Sequence, residues 1–280
     1  AAATGSDGRY AAAVTADNEL VVLDRGQTLW SARLNSAVTT APLVAGERVF
    51  VIGVDRQTLA FDVLDGRRLW AYQRPGGEAL TLAQRAVLAA YQDTLLVGQG
   101  ATLVGLDPTK GTTRFELPLT PPRGTNEVER LNDLVGPPLR VDDGVCLRAF
   151  QTAVGCIDLK RPTLRWSRVA GGQQAVGGDA DYVFGADASD RVSAWKSGGG
   201  ELAWSNERLL YRGLSAPLSA GRTVVFGDAE GQVHFLSRDD GKTLLRLPTD
   251  GSPVVAQPVR SGSTVLVVTR NGALVAFRPE

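Results

Sequence analysis

Residues 41–70 read APLVAGERVFVIGVDRQTLAFDVLDGRRLW, and this stretch decides the fold. It contains four short runs rich in Val, Leu and Phe, and the last run ends at Trp70. Gly and Asp separate the runs. Short apolar runs of β-branched and aromatic residues with this punctuation are typical of antiparallel strands. The stretch therefore predicts one sheet of four strands.

The same module recurs along the whole chain. Its first half returns as GPPLRVDDGVCL from Gly136, APLSAGRTVVFG from Ala216 and AQPVRSGSTVLVV from Ala256. Its second half closes, at intervals of about forty residues, with Trp30, Trp70, Phe115, Trp166, Trp204 and Leu245. A four-stranded sheet cannot cover both of its faces alone, so such modules stack around an axis. We predict an all-β fold, a β-propeller of four-stranded antiparallel blades with about seven modules visible.

Two recurring residue types are interpreted as structural. The Trp closers are expected to wedge between neighbouring blades, and the alternative is an aromatic cage for a ligand. One position before the outer turn is occupied by Asp24, Asp62, Asp107 and Asp158. A carboxylate there can accept hydrogen bonds from nearby backbone amides. Repetition at one position of a module favours architecture over catalysis.

The last module, VAQPVRSGSTVLVVTRNGALVAFRPE, supplies three strands without an outer one. We expect residues 1–280 to form a single propeller domain. The strand that closes the ring, together with one further blade, is expected upstream of Ala1. The intact ring would then have seven or eight blades.

Composition argues against several classes of function. Lys plus Arg and Asp plus Glu both number 30, so the formal net charge is zero. A neutral chain gives no electrostatic reason to expect nucleic acid or an anionic bilayer as a partner. No apolar stretch approaches the roughly eighteen residues of a membrane-spanning helix. We therefore expect a protein partner.

Catalytic motifs are not apparent in the sequence. The single histidine, His234, lies within a predicted strand and is interpreted as structural, which leaves most Ser-His and Cys-His arrangements without a base. There is no P-loop, dinucleotide fingerprint or zinc-binding helix. We expect no catalytic residues, no metal site and no cofactor.

Two cysteines flank a predicted hairpin whose turn lies near Gln151. Simple antiparallel pairing places Cys146 opposite Cys156. A disulfide between them requires a suitable Cα separation and an oxidising compartment. Two buried free thiols are the alternative.

Two stretches depart from the repeat, as functional loops often do. The longest insertion, PLTPPRGTNEVERLNDLVGPP, spans residues 118–138. It is typical of a protein-docking loop or of a solvated connector. The second stretch, RPGGEALTLAQRAVL, spans residues 74–88 and puts Leu80 and Leu82 on one side of an extended segment. These leucines are either anchors for a partner or core between blades.

The module ending Asp-x-x-x-Gly-x-x-x-Trp resembles propellers related to the quinoprotein alcohol dehydrogenases. That family binds pyrroloquinoline quinone with calcium, and it uses two adjacent cysteines and a cluster of acidic and amide ligands. The sequence has no Cys-Cys pair and no such cluster. A quinoprotein oxidoreductase is therefore the alternative function.

Four segments, TNEVERLNDLVGPP, LLYRGLSAPL, GDAEGQVHFLSRDDG and TRNGALVAF, resemble the BamB family, and the similarity covers essentially all 280 residues. That family consists of propeller lipoproteins of the bacterial outer-membrane β-barrel assembly machinery. The resemblance implies an eight-bladed, non-enzymatic scaffold on the periplasmic face of the outer membrane. It also implies a lipid anchor on an N-terminal cysteine absent from this chain, and binding to a POTRA domain of the barrel-forming subunit.

The resemblance further implies a docking surface on two loops. The family's Leu-x-Leu segment corresponds to Leu80 and Leu82, and its Arg-Leu-x-Asp segment corresponds to Arg130, Leu131 and Asp133. The leucines would bury apolar surface against the partner at the centre of the contact. Asp133 would pair with a basic group of the partner, and Arg130 would brace the loop or pair outward.

The sequence departs from the family pattern at two positions. Ala83 stands where an Arg would follow the Leu-x-Leu segment, so Arg85 is the candidate substitute, and Val135 replaces a second acidic residue. The ionic part of the contact is therefore expected to differ from the family's. Unfolded outer-membrane protein clients are a further expected partner, through pairing with strand edges.

Overall fold

The computed structural model describes residues 4–75, 82, 84–121 and 132–278. Within these ranges every regular element is a β-strand, and the strands form six four-stranded sheets and one three-stranded sheet. Each sheet is an antiparallel meander in which consecutive strands are neighbours. Among the described residues no helix is long and apolar enough to span a membrane.

The chain divides into two compact units, and the first, Ala1–Pro137, holds three complete sheets. The first sheet consists of β1 (Thr4–Ser6), β2 (Tyr10–Val14), β3 (Glu19–Asp24) and β4 (Gln27–Arg33). The second consists of β5 (Leu43–Ala45), β6 (Arg48–Ile52), β7 (Thr58–Asp62) and β8 (Arg68–Tyr72). The third consists of β9 (Leu88–Tyr91), β10 (Thr94–Gln99), β11 (Thr102–Leu106) and β12 (Thr113–Pro118).

The second unit is Pro138–Glu280, and the first strand of its first sheet begins before the boundary. That sheet consists of β13 (Leu134–Val141), β14 (Gly144–Ala149), β15 (Ala153–Asp158) and β16 (Thr163–Val169). The next consists of β17 (Gly177–Gly178), β18 (Tyr182–Ala186), β19 (Val192–Lys196) and β20 (Leu202–Asn206). The last two consist of β21 (Leu218–Ala220), β22 (Thr223–Gly227), β23 (Gln232–Ser237) and β24 (Thr243–Pro248), then β25 (Val259–Ser261), β26 (Thr264–Val268) and β27 (Leu274–Phe277).

Consecutive sheets within a unit pack as propeller blades do. Their first strands are neighbours, as are β1, β5 and β9 in the first unit and β17, β21 and β25 in the second. The core lies between facing sheets. In the second unit, for example, the fully buried Phe184 of β18 packs in one cluster with Phe226 of β22.

Four of the Trp closers join their sheet to the next one, in the structural role that the repeat predicts. Their indole Nε1 groups donate to carbonyl oxygens of the following sheet's outer turn at 2.7–3.0 Å, in the pairs Trp30–Val63, Trp70–Pro108, Trp166–Ser197 and Trp204–Arg238. Each ring also covers a turn glycine with positive φ. A Cβ at Gly66 would fall 2.6 Å from the ring of Trp30, so only glycine fits there.

The repeated aspartates stabilise the outer turns, with one exception. The carboxylates of Asp62, Asp107 and Asp158 each accept a hydrogen bond from the backbone amide two residues later, at 2.8, 2.8 and 2.9 Å. Asp24 instead pairs with the Arg9 guanidinium at 3.3 Å. Turn geometry thus accounts for three of these four carboxylates.

Cys146 and Cys156 lie directly opposite each other in β14 and β15 and are joined by a disulfide. Both are almost completely buried, in one cluster with Trp166. The disulfide therefore crosslinks the β14–β15 hairpin, and it packs in one cluster with Trp166, which joins this sheet to the next.

Candidate functional site

The described parts of the two irregular stretches lie side by side. Ala86 forms an isolated antiparallel bridge with Val135, and the Gly136 amide donates to the Arg85 carbonyl at 2.8 Å. The Ala86 amide also donates to the Thr40 hydroxyl at 2.7 Å. Backbone hydrogen bonds thus bring together two segments that are far apart in the chain.

Asp133 occupies the centre of this junction. One carboxylate oxygen lies 2.8 Å from Nη2 of Arg56, and the other accepts a hydrogen bond from the Leu82 amide at 2.8 Å. The Arg56 and Asp133 side chains are only 8% and 13% exposed. A buried carboxylate needs a compensating charge and hydrogen bonds, and this chain supplies both.

This arrangement gives Asp133 a structural role, and its expected contact with a partner stays a prediction. Its carboxylate is engaged by Arg56 and Leu82 of the same chain. It therefore acts as an internal brace that fixes the backbone at Leu82. Arg56 was not marked by any feature of the repeat.

Arg56 is itself tightly positioned. It lies in the hairpin between β6 and β7 with a φ of +64°, which is uncommon for a residue other than glycine. Its carbonyl accepts a hydrogen bond from the Gln99 side-chain amide at 2.9 Å. The Arg56 side chain thus extends from a hairpin of the second sheet, and the Arg56 carbonyl is hydrogen-bonded to Gln99 of the third sheet.

The space beside this pair is too small for a substrate. A cavity of about 20 Å³ is lined by Arg56, Leu82, Asp133 and Leu134, among others. That volume holds roughly one water molecule, whereas small-molecule sites typically occupy about 300–1,000 Å³. The junction is therefore better suited to contact with another protein surface than to binding a small molecule.

The predicted docking residues are placed differently. Leu82 is half-buried, the Arg85 side chain is exposed, and Val135 is buried in the bridge to Ala86. Leu80, Arg130 and Leu131 lie outside the described residues, as does Ala83. Leu82, Arg85 and Asp133 are therefore the predicted contact residues whose surroundings the structure shows.

The single histidine lies in a buried polar network. His234 Nε2 is 2.7 Å from Asp228 Oδ2, and Arg212 donates to the same oxygen at 2.7 Å. Burial lowers the pKa of His234, and the hydrogen bond to Asp228 opposes this shift. With 1% of its surface exposed, His234 cannot reach a substrate. The described ranges contain no group of three or more His, Cys, Asp or Glu side chains placed to hold a metal ion.

Comparison with known proteins accounts for the whole chain. The family model described as "Outer membrane protein assembly factor BamB" matches residues 1–206 and 207–280. The chain belongs to the BamB family. Two BamB proteins, from Burkholderia pseudomallei and Bordetella pertussis, are each 35% identical to it. The alignments cover 99% of this chain and 74% and 72% of those proteins.

Solved structures show the same fold. BamB from Moraxella catarrhalis superposes with a TM-score of 0.89 at 24% identity, covering 98% of this chain and 84% of that one. The likeness confirms the predicted all-β propeller. Quinohemoprotein alcohol dehydrogenase from Comamonas testosteroni superposes with a TM-score of 0.70 at 14% identity, covering 93% of this chain and 61% of that one. This second likeness extends to the fold alone.

Proposed function

We propose that this BamB family member is a non-enzymatic scaffold subunit of the outer-membrane β-barrel assembly machinery. The observation that carries the proposal is 35% identity, over 99% of the chain, to proteins named outer membrane protein assembly factor BamB. Similarity at this level along all blades supports a shared role, because it extends well beyond the fold.

The quinoprotein alternative has weaker support. Its structural relative shares the fold at 14% identity. The two cysteines of this chain are joined across a hairpin rather than adjacent in sequence. Reconstitution with pyrroloquinoline quinone and calcium should give no change in absorbance and no dye reduction, and either signal would favour that alternative.

The proposed partner is a POTRA domain of the barrel-forming subunit. The proposed contact residues are Leu80, Leu82, Arg85, Arg130, Leu131 and Asp133. The bridge between Ala86 and Val135 and the brace from Asp133 hold the described part of this surface in place. A prearranged surface loses little conformational entropy on binding, which supports a docking role.

The proposed location is the periplasmic face of the outer membrane, with a lipid anchor upstream of Ala1. The Cys146–Cys156 disulfide supports this location, because disulfides persist in oxidising compartments such as the bacterial periplasm. Unfolded outer-membrane protein clients remain proposed partners through strand pairing.

The decisive test is binding of the full chain to the isolated POTRA region. Leu82→Ala should raise the dissociation constant about 30-fold, the effect of a hot spot worth about 2 kcal/mol. Leu64→Ala is the matched control, since Leu64 is 62% exposed in an outer turn and should change nothing. Equal affinities of the two variants would show that the surface around Leu82 is not the docking site.

A further inference from the structure

A cavity of about 300 Å³ lies between the first and second sheets. Its apolar lining includes the buried Val51 and Phe61 and the half-buried Leu59. Two exposed arginines also line it, Arg33 at the end of β4 and Arg68 at the start of β8. Within the described ranges neither guanidinium has a hydrogen-bond or ion-pair partner. The cavity thus combines an apolar wall with two positive charges that are available to a ligand.

The other polar groups of the cavity leave its net charge positive. Asp55 is the one acidic residue that lines it, and its carboxylate accepts a hydrogen bond from the Gln57 amide at 3.1 Å. A guanidinium pairs with a carboxylate more strongly than with a neutral acceptor, because the hydrogen bonds are charge-assisted. The cavity therefore suits an Asp or Glu side chain, whose methylene groups can pack on the apolar wall.

The connection between β4 and β5, residues 34–42, forms one side of the cavity and is hydrogen-bonded to both neighbouring hairpins. The Asn18 side-chain amide donates to the carbonyls of Leu34 and Ser36 at 2.8 Å each. From the opposite side, the Asp55 amide donates to the Ser36 hydroxyl at 3.2 Å. This side of the cavity is therefore fixed in the unbound protein, so binding a partner orders little of the chain.

The same connection reaches the predicted docking residues. The Thr39 hydroxyl donates to the Gln84 carbonyl at 3.1 Å, and the Thr40 hydroxyl accepts a hydrogen bond from the Ala86 amide at 2.7 Å. Gln84 and Ala86 are the neighbours of Arg85 in the chain. One end of the connection thus lines the cavity, and the other end contacts the segment that carries a proposed contact residue.

The hairpin between β6 and β7 makes a second link. Asp55 and Gln57 line the cavity, and Arg56 between them pairs with Asp133. Asp133 in turn accepts a hydrogen bond from the Leu82 amide. The cavity and the proposed contact residues therefore share two backbone segments and form one continuous surface.

We propose that this cavity belongs to the docking surface for the POTRA domain and receives an acidic side chain of that domain. The inference rests on the proposed function and adds Arg33 and Arg68 to the contact. These arginines attract a carboxylate and repel a basic side chain at the same position, which makes them determinants of specificity. A volume of about 300 Å³ is at the lower limit for small-molecule sites, and the links to the docking residues favour a protein side chain.

The first test neutralises both arginines in the full chain, as Arg33→Gln with Arg68→Gln. The melting temperature should not change, because both side chains are exposed and unpaired within the described ranges. The dissociation constant for the isolated POTRA region should rise about 10-fold, and affinity should depend less on added NaCl. The matched control is Arg260→Gln with Arg270→Gln, which removes the same charge from two exposed positions of the second unit. It should bind normally.

The second test identifies the group that the arginines contact. The double variant Arg33→Lys with Arg68→Lys keeps both positive charges and supplies amines that a carbodiimide couples to carboxylates in direct contact. Treatment of its complex with the POTRA region, followed by mass spectrometry, should reveal an amide bond from position 33 or 68 to an Asp or Glu of the POTRA domain.

Three outcomes would overturn the inference. Unchanged affinity of the glutamine variant would show that the cavity lies outside the contact. An equal loss in the control variant would show that only the overall charge matters. Coupling of positions 33 and 68 only to carboxylates of this chain would exclude an acidic side chain of the partner.

Failure of the proposed function is recognised separately. In that case the unaltered protein would already fail to bind the POTRA region, and this inference would fail with it. Binding that Leu82→Ala weakens and the arginine variants leave unchanged would overturn this inference alone.

Discussion

Replacing Arg56 with Gln should weaken docking by releasing Asp133. Removing one member of a buried ion pair costs about 3–5 kcal/mol, because the remaining charge stays buried without compensation. Asp133 would retain the hydrogen bond from the Leu82 amide and is 13% exposed. We therefore expect the lower end, a loss of about 3 kcal/mol in the free energy of unfolding.

The double variant distinguishes a brace from a direct contact. With Arg56→Gln and Asp133→Asn together, two neutral amides can bond each other and the Leu82 amide, so about 2 kcal/mol should be regained relative to either single variant. Affinity for the POTRA region should follow the same order. If Asp133 contacted a basic group of the partner directly, the double variant would bind no better than Asp133→Asn.

Urea unfolding followed by Trp fluorescence measures stability, and isothermal titration calorimetry measures affinity. Arg74→Gln is the matched control, because its pair with Glu116 has a similar distance of 2.9 Å but side chains that are 34% and 36% exposed. Exposed pairs contribute about 0–1 kcal/mol. The reasoning fails if Arg56→Gln is no more destabilising than this control, or if the two single losses simply add.

Two further perturbations act on the second unit. Replacing Cys146 and Cys156 with Ala should lower the free energy of unfolding by about 2.5 kcal/mol, the loop-closure entropy expected for a sequence separation of 10. Dithiothreitol should lower the free energy of unfolding of the unaltered protein by the same amount and leave that of the variant unchanged. The pKa of His234 lies below its ordinary value because of burial, opposed by Asp228, so the unfolded chain binds a proton that the folded chain does not. Stability should therefore fall as the pH drops below about 6.5. His234→Gln should reduce the dependence of the melting temperature on pH between about pH 7.5 and 5.5, and an equally steep dependence in the variant would exclude His234 as its source.

The repeat allowed the fold to be predicted because local patterns carry it. Short apolar runs recur at the same positions of each module, and the closers fill the same joint in successive modules, as Trp166 and Trp204 do. The opposed positions of Cys146 and Cys156 also followed from the sequence, since a short hairpin fixes its own register.

The site was less predictable, because its determinants are distant in sequence or conformational. The Arg56–Asp133 pair joins a hairpin of the second sheet to the connection that follows the third, and no spacing rule links those positions.

The joints between blades have a consequence for how such a protein can be recombined. A Trp on one blade requires a glycine in the outer turn of the next, as Trp30 requires Gly66 and Trp166 requires Gly200. The contact between Trp and glycine crosses the boundary between two blades, so a single four-stranded blade is not an independently exchangeable unit. A blade transferred to another position must carry a glycine that fits against the Trp ring of the preceding blade. It must also carry a Trp whose ring fits against the turn glycine of the following blade. Duplication of a whole module satisfies both conditions at once, so the ring can grow by copying more easily than by exchanging unrelated blades.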